Sequence, residues 1–382
     1  MTRVVTVEPF SLKRFMDKHK YEAVISVPIP VGLYLLFVTF TVFLPYSIAA
    51  LLAGTRGQLE WGVFYLILAA FGASLGVKMI VTASLQLMIS KSLKSMQFAR
   101  TKRLCLQSIS LLSHWPLVRN AQLVFFEVGL GAVCMGRADY EEAEKLFASA
   151  LERYKNHMQR FRFGKKARHT PNLVLLNSHI SRACSAQGKY AEAEQLANVS
   201  LALAQGLEKT KNARIVVFPL YALAYTHLRS GALEQAEEEY KRVFNIYAET
   251  PEPSAYGSTT FAPTLMASSL GLAFISIKKE RADESIKYWT NFADRASQPV
   301  QPMSPSFLRA MNVLANEYMN NKLFAEAEQV IEMAYSLAMH HFDHPDAKDT
   351  LSYFEKLLLL TDRQVEVGDM RAWLRISQHA PH

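Results

Sequence analysis

The densest group of chemistry-bearing side chains in this 382-residue chain is His340-His341-Phe342-Asp343-His344-Pro345-Asp346. Imidazoles and carboxylates this close can gather around one metal ion, with His341, Asp343, His344 and Asp346 as ligands. The same run also fits a turn in which Asp346 caps the helix that follows. Gly129-Leu130-Gly131 opens like a dinucleotide-binding loop, but Cys134 stands where the third glycine belongs. The cysteines, Cys105, Cys134 and Cys184, form no CxxC and have no adjacent His partner. They suit buried apolar positions in a reducing compartment, not a disulfide framework or zinc site. HExxH, GxSxG and GxxxxGK[ST] are absent from the sequence. The expectation is a chain with no catalytic residues, no metal and no cofactor: not an enzyme.

The basic residues point to partners. The net charge of +8 is concentrated in two stretches: residues 91–119 carry six Lys/Arg and no acid, residues 153–168 seven and no acid. Outside them the chain is net negative. Local patches of this kind fit anionic surfaces such as lipid headgroups or acidic proteins, and argue against nucleic acid as the main partner. Arg153, Lys155, Arg160, Arg162, Lys165, Lys166 and Arg168, interleaved with Phe161 and Phe163, form the candidate anionic-surface site. It could equally be a solvated loop face.

The elements that position these groups begin with a membrane segment. Val31 to Ala53 is twenty-three residues without a charge, about 34 Å as a helix and enough to span a hydrocarbon core. Pro45 would kink it, as membrane helices tolerate. After a predicted outside turn, GTRGQLE at 54–60, a second span is placed over about 61–83, within residues 24–90. Lys78 must snorkel there. Basic residues flank both ends of the pair (Lys13, Arg14, Lys18 and Lys20 within the 1–23 tail; Lys91, Lys94, Arg100, Lys102 and Arg103 after it), which places both ends inside. The expected location is a membrane, multi-pass, read as a bacterial inner membrane, with everything after residue 90 cytoplasmic. Ser47-Ile48-Ala49 resembles a signal-peptidase site, which leaves open whether the first span is retained.

Past residue 120 the sequence repeats. GRADYEEAEKLFASAL, GKYAEAEQLANVSL, GALEQAEEEYKRVF, RADESIKYWTNF and KLFAEAEQVIEMAY align on Ala143, Ala193, Ala236, Ser285 and Ala327. Twelve residues before each anchor stands a small residue: Gly131, Ser181, Ala224, Ala273, Ala315. Two antiparallel helices approach closely only where small side chains meet, so each unit is predicted to be a helix pair, and five pairs to stack as a right-handed solenoid. The repeats resemble the tetratricopeptide (TPR) repeat over residues 120–345. Residues 324–351, with their long second helix and His-Pro-Asp turn, are similar to the kinesin-light-chain type. The resemblance makes the His340–Asp346 run an inter-repeat turn.

The expected fold is therefore all-α: two transmembrane helices, a basic helical linker at 91–119, the solenoid over 120–345, and capping helices at 346–382. Pro- and Gly-bearing interruptions are expected at 156–172, 249–263 and 297–305. The resemblance implies a binding scaffold. The concave groove would be lined by first helices, and offsets from the anchors place Arg182, Tyr221, Tyr225, Arg229, Phe274, Lys278 and Arg309 there. Asn312, Asn316 and Asn320 fall on one helical face, where amides could hold an extended peptide. Only Asn316 matches the carboxylate clamp of the chaperone-binding members, so that clamp is not expected. The function read from the sequence is a membrane-anchored adaptor holding a protein or peptide in the groove. The alternative is a lipid- or nucleic-acid-associated structural protein acting through 153–168.

Overall fold

The computed structural model describes residues 36, 39, 44, 48, 56–94, 98–113, 119–160, 170–207, 213–248, 258–297, 303–341 and 344–367. Among these the regular structure is entirely helical, without a strand. The chain divides into two compact units, Met1–Ser92 and Leu93–His382.

The first unit is built on α1 (Arg56–Lys94), a 39-residue helix. At 1.5 Å per residue it is about 58 Å long. Within it, Val63–Ile89 is long and apolar enough to cross a membrane by length and composition, and no other described helix is. Ile67 and Phe71, one turn apart, are 62% and 50% exposed. The covered side carries the small residues Ala69, Gly76 and Ala83 and, further along, Thr82, Gln86 and Ile89. At Gly72 on that side an added Cβ would stand 2.6 Å from Thr39 Oγ1. Close approach over Gly-xxx-Gly spacing is how helices pair in lipid, where apolar area alone does not drive association. The helix corrects two boundaries. Residues 56–60, expected in a turn, are already helical, and the helix runs on past 83 to Lys94. The 31–53 span lies outside the described residues except for Leu36, Thr39, Leu44 and Ile48.

The second unit runs α2 (Phe98–Ser113), α3 (Arg119–Gly136), α4 (Tyr140–Arg160), α5 (Thr170–Ala186), α6 (Tyr190–Gln205), α7 (Val217–Ser230), α8 (Leu233–Ala248), α9 (Ser258–Lys278), α10 (Ala282–Ala296), α11 (Leu308–Asn320), α12 (Phe324–His340) and α13 (Pro345–Leu360). From α3 onward they alternate as first and second helices of antiparallel pairs. Each pair is joined by the same turn. One residue takes positive φ, in order Ala138, Gly188, Gly231, Glu280, Lys322 and Asp362. The N–H just after it reaches back to a carbonyl of the first helix, as from Asp139 to Cys134 at 2.9 Å and from Arg363 to Leu358 at 2.8 Å. That bond satisfies an orphan carbonyl at a left-handed helix end. Among the described residues there are six such turns, one more than the repeats legible in the sequence. The sixth, at Asp362, joins α13 to the helical turn at residues 364–367.

The anchors Ala143, Ala193, Ala236, Ser285 and Ala327 are all fully buried. Where serine takes one of the small positions, its hydroxyl is spent on the opposing backbone. Ser181 donates to the Ala193 carbonyl and Ser285 to the Ala273 carbonyl, each at 2.7 Å. Ser285 also meets the Tyr318 hydroxyl at 2.9 Å. The fourth repeat is thus in register, because serine satisfies its own oxygen at the crossing.

Two boundaries of the interruptions move. α4 continues to Arg160, and α9 begins at Ser258 with Pro263 inside it. Pro263 forfeits one ladder bond to residue 259, which a helix tolerates near its start. Residues 98–113, expected as linker, form α2. There Cys105 is buried, and Phe98 packs so closely on Gly136 of α3 that a Cβ would stand 2.6 Å from its ring.

Candidate functional site

The first helices of the repeats line the concave side of such a solenoid. Six residues before each turn residue stand Ala132, Arg182, Tyr225, Phe274, Asn316 and Lys356, one equivalent position repeated along that face. Its middle is aromatic and cationic. The Arg182 guanidinium sits 5.0 Å from the Tyr221 ring centre, and Tyr221 lies 6.3 Å from Tyr225 and 6.0 Å from Tyr240. Such stacking holds a guanidinium in place without neutralising it. One turn beyond Tyr225, Arg229 donates to the Ala186 carbonyl at 3.3 Å. Four residues from two neighbouring repeats thereby form one contiguous surface. Tyr221 is nearly buried, and burial raises its hydroxyl pKa against the opposing pull of Arg182.

Curvature adds a residue from far away in sequence. Tyr140, at the start of α4, lies beside Arg309 of α11, with Tyr225 and Asp346 nearby. Burial raises the Tyr140 hydroxyl, and Arg309 works against it. Nearby, the Phe98 and His341 rings are 6.3 Å apart. The edge of the first repeat therefore meets the turn between the fifth and sixth. Sequence reasoning missed Tyr140, since its position in GRADYEEAE carries only a repeat signal.

The remaining groove candidates are divided. Lys278 pairs with Glu317 at 2.8 Å and stands 5.7 Å from the Phe274 ring centre. Asn312 is 3% exposed. Its Nδ2 donates to the Asp346 carbonyl at 3.0 Å and its Oδ1 accepts from Thr350 at 2.9 Å. Asn316 accepts from Lys356 at 2.8 Å, and Asn320 is exposed. The three asparagines do share a face, but at Asn312 that face is turned to α13, which engages both the nitrogen and the oxygen of its amide.

His344 is buried and caps α13 by accepting the Asp346 N–H on Nδ1 at 3.2 Å, with Pro345 at the first helical position. The cap is thus the histidine; Asp346, expected in that role, is the second residue of the helix, within its first turn. In the basic run, Arg153 is bound to the buried Glu127 at 2.8 Å and Lys155 is exposed. The Arg160 side chain and all of Arg162, Lys165, Lys166 and Arg168 lie outside the described residues. Glu144, Cys184 and Glu192 converge within 4.8 Å. Glu144, however, already binds Lys189 and Gln187, and burial pushes the Cys184 thiol up to about 12.

His179 sets a pH response beside the groove. Its ring stacks on Phe147 with centres 5.0 Å apart. Burial, with the Arg182 charge adding to it, lowers its pKa from 6.5 to about 3. Between those values the unfolded chain binds a proton that the folded chain refuses, so this group's contribution falls as pH drops from about 6.5 toward 3. Urea melts at pH 7 and pH 5 should show the intact protein losing stability with acid, and His179→Phe losing measurably less.

No protein-family model matches the chain, and no curated protein matches it. Solved structures do resemble it. The crystal structure of NprR in complex with its cognate peptide NprX aligns with a TM-score of 0.50 at 13% identity, over 89% of this chain and 88% of that one. A Rap protein complexed with competence and sporulation factor aligns at 0.49 and 11%, over 88% and 99%. Kinesin-light-chain TPR-like repeats from Podospora anserina align at 0.38 and 16%, over 56% and 93%. With the six turns and the buried small crossings, the likeness to NprR defines the class: an α-solenoid of TPR-type repeats.

Proposed function

We propose that this chain is an interaction scaffold that holds a protein or peptide segment on its concave face, and that α1 tethers it to a membrane with the repeats on the cytoplasmic side. The observation that carries the binding role is the Arg182–Tyr221–Tyr225–Arg229 surface, built from two repeats and held by its own contacts before any ligand arrives. Preorganised aromatic and guanidinium groups are the side chains that most often anchor interfaces. The NprR structure, which is similar in fold, is of a complex with its cognate peptide, and this agrees with the reading. Support for the tether comes from the length and apolar composition of Val63–Ile89 within α1, interrupted by Lys78, and from the close approach of Gly72 to Thr39. The alternative site at 153–168 is weakened because Arg153 is already neutralised by Glu127.

Affinity capture from crosslinked membranes tests the binding role. Tyr225→Ala combined with Arg229→Ala should remove the partners that the intact chain retains. Neutralising Lys155, Arg160, Arg162, Lys165, Lys166 and Arg168 should leave them. The reverse pattern would move the function to the basic loop.

A further inference from the structure

The first helix of the second unit has two contrasting faces. Thr101, Cys105 and Ser108 of α2 are fully buried, and Phe98 covers Gly136 of α3, so this side caps the first repeat. The Ser108 hydroxyl is spent inside the helix, on the Leu104 carbonyl at 2.6 Å. Round the helix, Arg100, Arg103, Gln107 and Leu111 follow one another at steps of three and four, and all are exposed, Leu111 at 52%. Residues so spaced share a helix face, so these form one stripe with two cations at its start and a leucine at its end. Lys102 and Leu106, also exposed, border it on the side toward α4, where they line a cleft with Asp139, Glu141 and Glu142. The stripe meets no acid of its own helix, since residues 91–119 contain none. Only residues 95–97 separate α1 from α2, so the chain keeps the start of α2 within about 14 Å of the end of α1.

From this stripe and its place in the chain we infer that α2 docks on the anionic headgroups of the leaflet that α1 enters, through Arg100 and Arg103, with Leu111 reaching into the interface. The inference rests on the membrane tether proposed above and adds an orientation to it. Basic clusters just cytoplasmic of a membrane helix are drawn to anionic lipid, and the attraction fades beyond a Debye length. Arginine lays its stem along apolar surface while its head meets phosphate, which suits a stripe of two arginines and a leucine. Because α2 is packed on α3, contact through its outer face holds the repeats at a fixed tilt instead of letting them swing from the tether. The surface lies on a different element from the basic run at 153–168.

The test uses the full chain reconstituted in vesicles, with an environment-sensitive fluorophore attached at Leu111→Cys, or at Val199→Cys on α6 as a distant control. The natural cysteines do not compete for the label, because burial pushes the thiols of Cys105, Cys134 and Cys184 up to about 12, about 11 and about 12. In vesicles of phosphatidylglycerol and phosphatidylcholine the probe at 111 should shift to the blue and be quenched by lipids brominated in their acyl chains. The probe at 199 should do neither. The shift at 111 should be lost in phosphatidylcholine alone, in salt of about 1 M where the Debye length is about 3 Å, and in the R100Q/R103Q variant. It should be kept in R100K/R103K and when Lys155 and Arg160 are neutralised. Circular dichroism melts matching the intact chain show that the variants are folded. A probe at 111 that stays in water in anionic vesicles, shifts equally in neutral ones, or shifts without Arg100 and Arg103 overturns the docking of α2. The tether then stands as long as the chain floats with the vesicles. A chain that floats with neither vesicle overturns both.

Discussion

Valine at Gly271 should destabilise the solenoid by about 3 kcal/mol, the upper end of what inserting methyl groups into a packed core costs. Even the first added carbon would stand 2.5 and 2.6 Å from atoms of the Tyr240 ring. That ring cannot yield, because Tyr240 is 1% exposed and locked among Tyr221, Val243 and Leu272. Gly131 is the same case in the first repeat, where a Cβ would meet the fully buried Phe147 ring at 2.6 Å. The check is a double-mutant cycle in urea. Tyr240→Leu should recover a substantial part of the cost of Gly271→Ala, because it removes the ring the new methyl strikes. Additive costs would mean that the close approach at Gly271 is not what brings α8 and α9 together.

The second large effect concerns α1. Ile67→Glu together with Phe71→Glu places two charges on its exposed apolar face. Each charge at the centre of a membrane helix costs about 2.5–3.5 kcal/mol on insertion scales, so the pair should cost about 5–7 kcal/mol. Carbonate extraction should find the intact chain in the membrane pellet and the double variant largely released or degraded. Unchanged pelleting of the variant would mean that α1 does not lie in lipid.

The repeat was legible because its signal is steric and local. Small residues twelve apart must meet if two helices cross closely, and Gly131 with Ala143 or Ser181 with Ala193 state this without reference to the rest of the chain. Ser285 stands where the other anchors are alanine, and its hydroxyl finds the Ala273 carbonyl across the same crossing. The sixth pair was hidden because Asp362 supplies the left-handed turn without glycine. The concave face was only half legible. Counting from the anchors put Arg182, Tyr221, Tyr225 and Arg229 on first helices of neighbouring repeats, where Arg182 meets Tyr221 and Tyr221 lies beside Tyr225. It could not show that Asn312 would spend its amide on Asp346 and Thr350, because that depends on how closely α13 approaches α11. Nor could it bring in Tyr140, which reaches Arg309 only through the accumulated curvature of four repeats. The boundaries of α1 were misjudged for a simpler reason. Arg56 and Gly57 read as a turn, but an apolar helix tolerates both in its first turn.

The most direct test of the scaffold is site-specific photo-crosslinking in living cells. A photoreactive phenylalanine analogue takes the place of Tyr225 on the concave face, or of Val199, 48% exposed on the second helix α6. The account predicts a discrete crosslinked product at position 225, absent at 199 and lost when Arg182 and Arg229 are also changed to Gln. Equal labelling at both positions, or a product at 225 that is indifferent to those arginines, would contradict it.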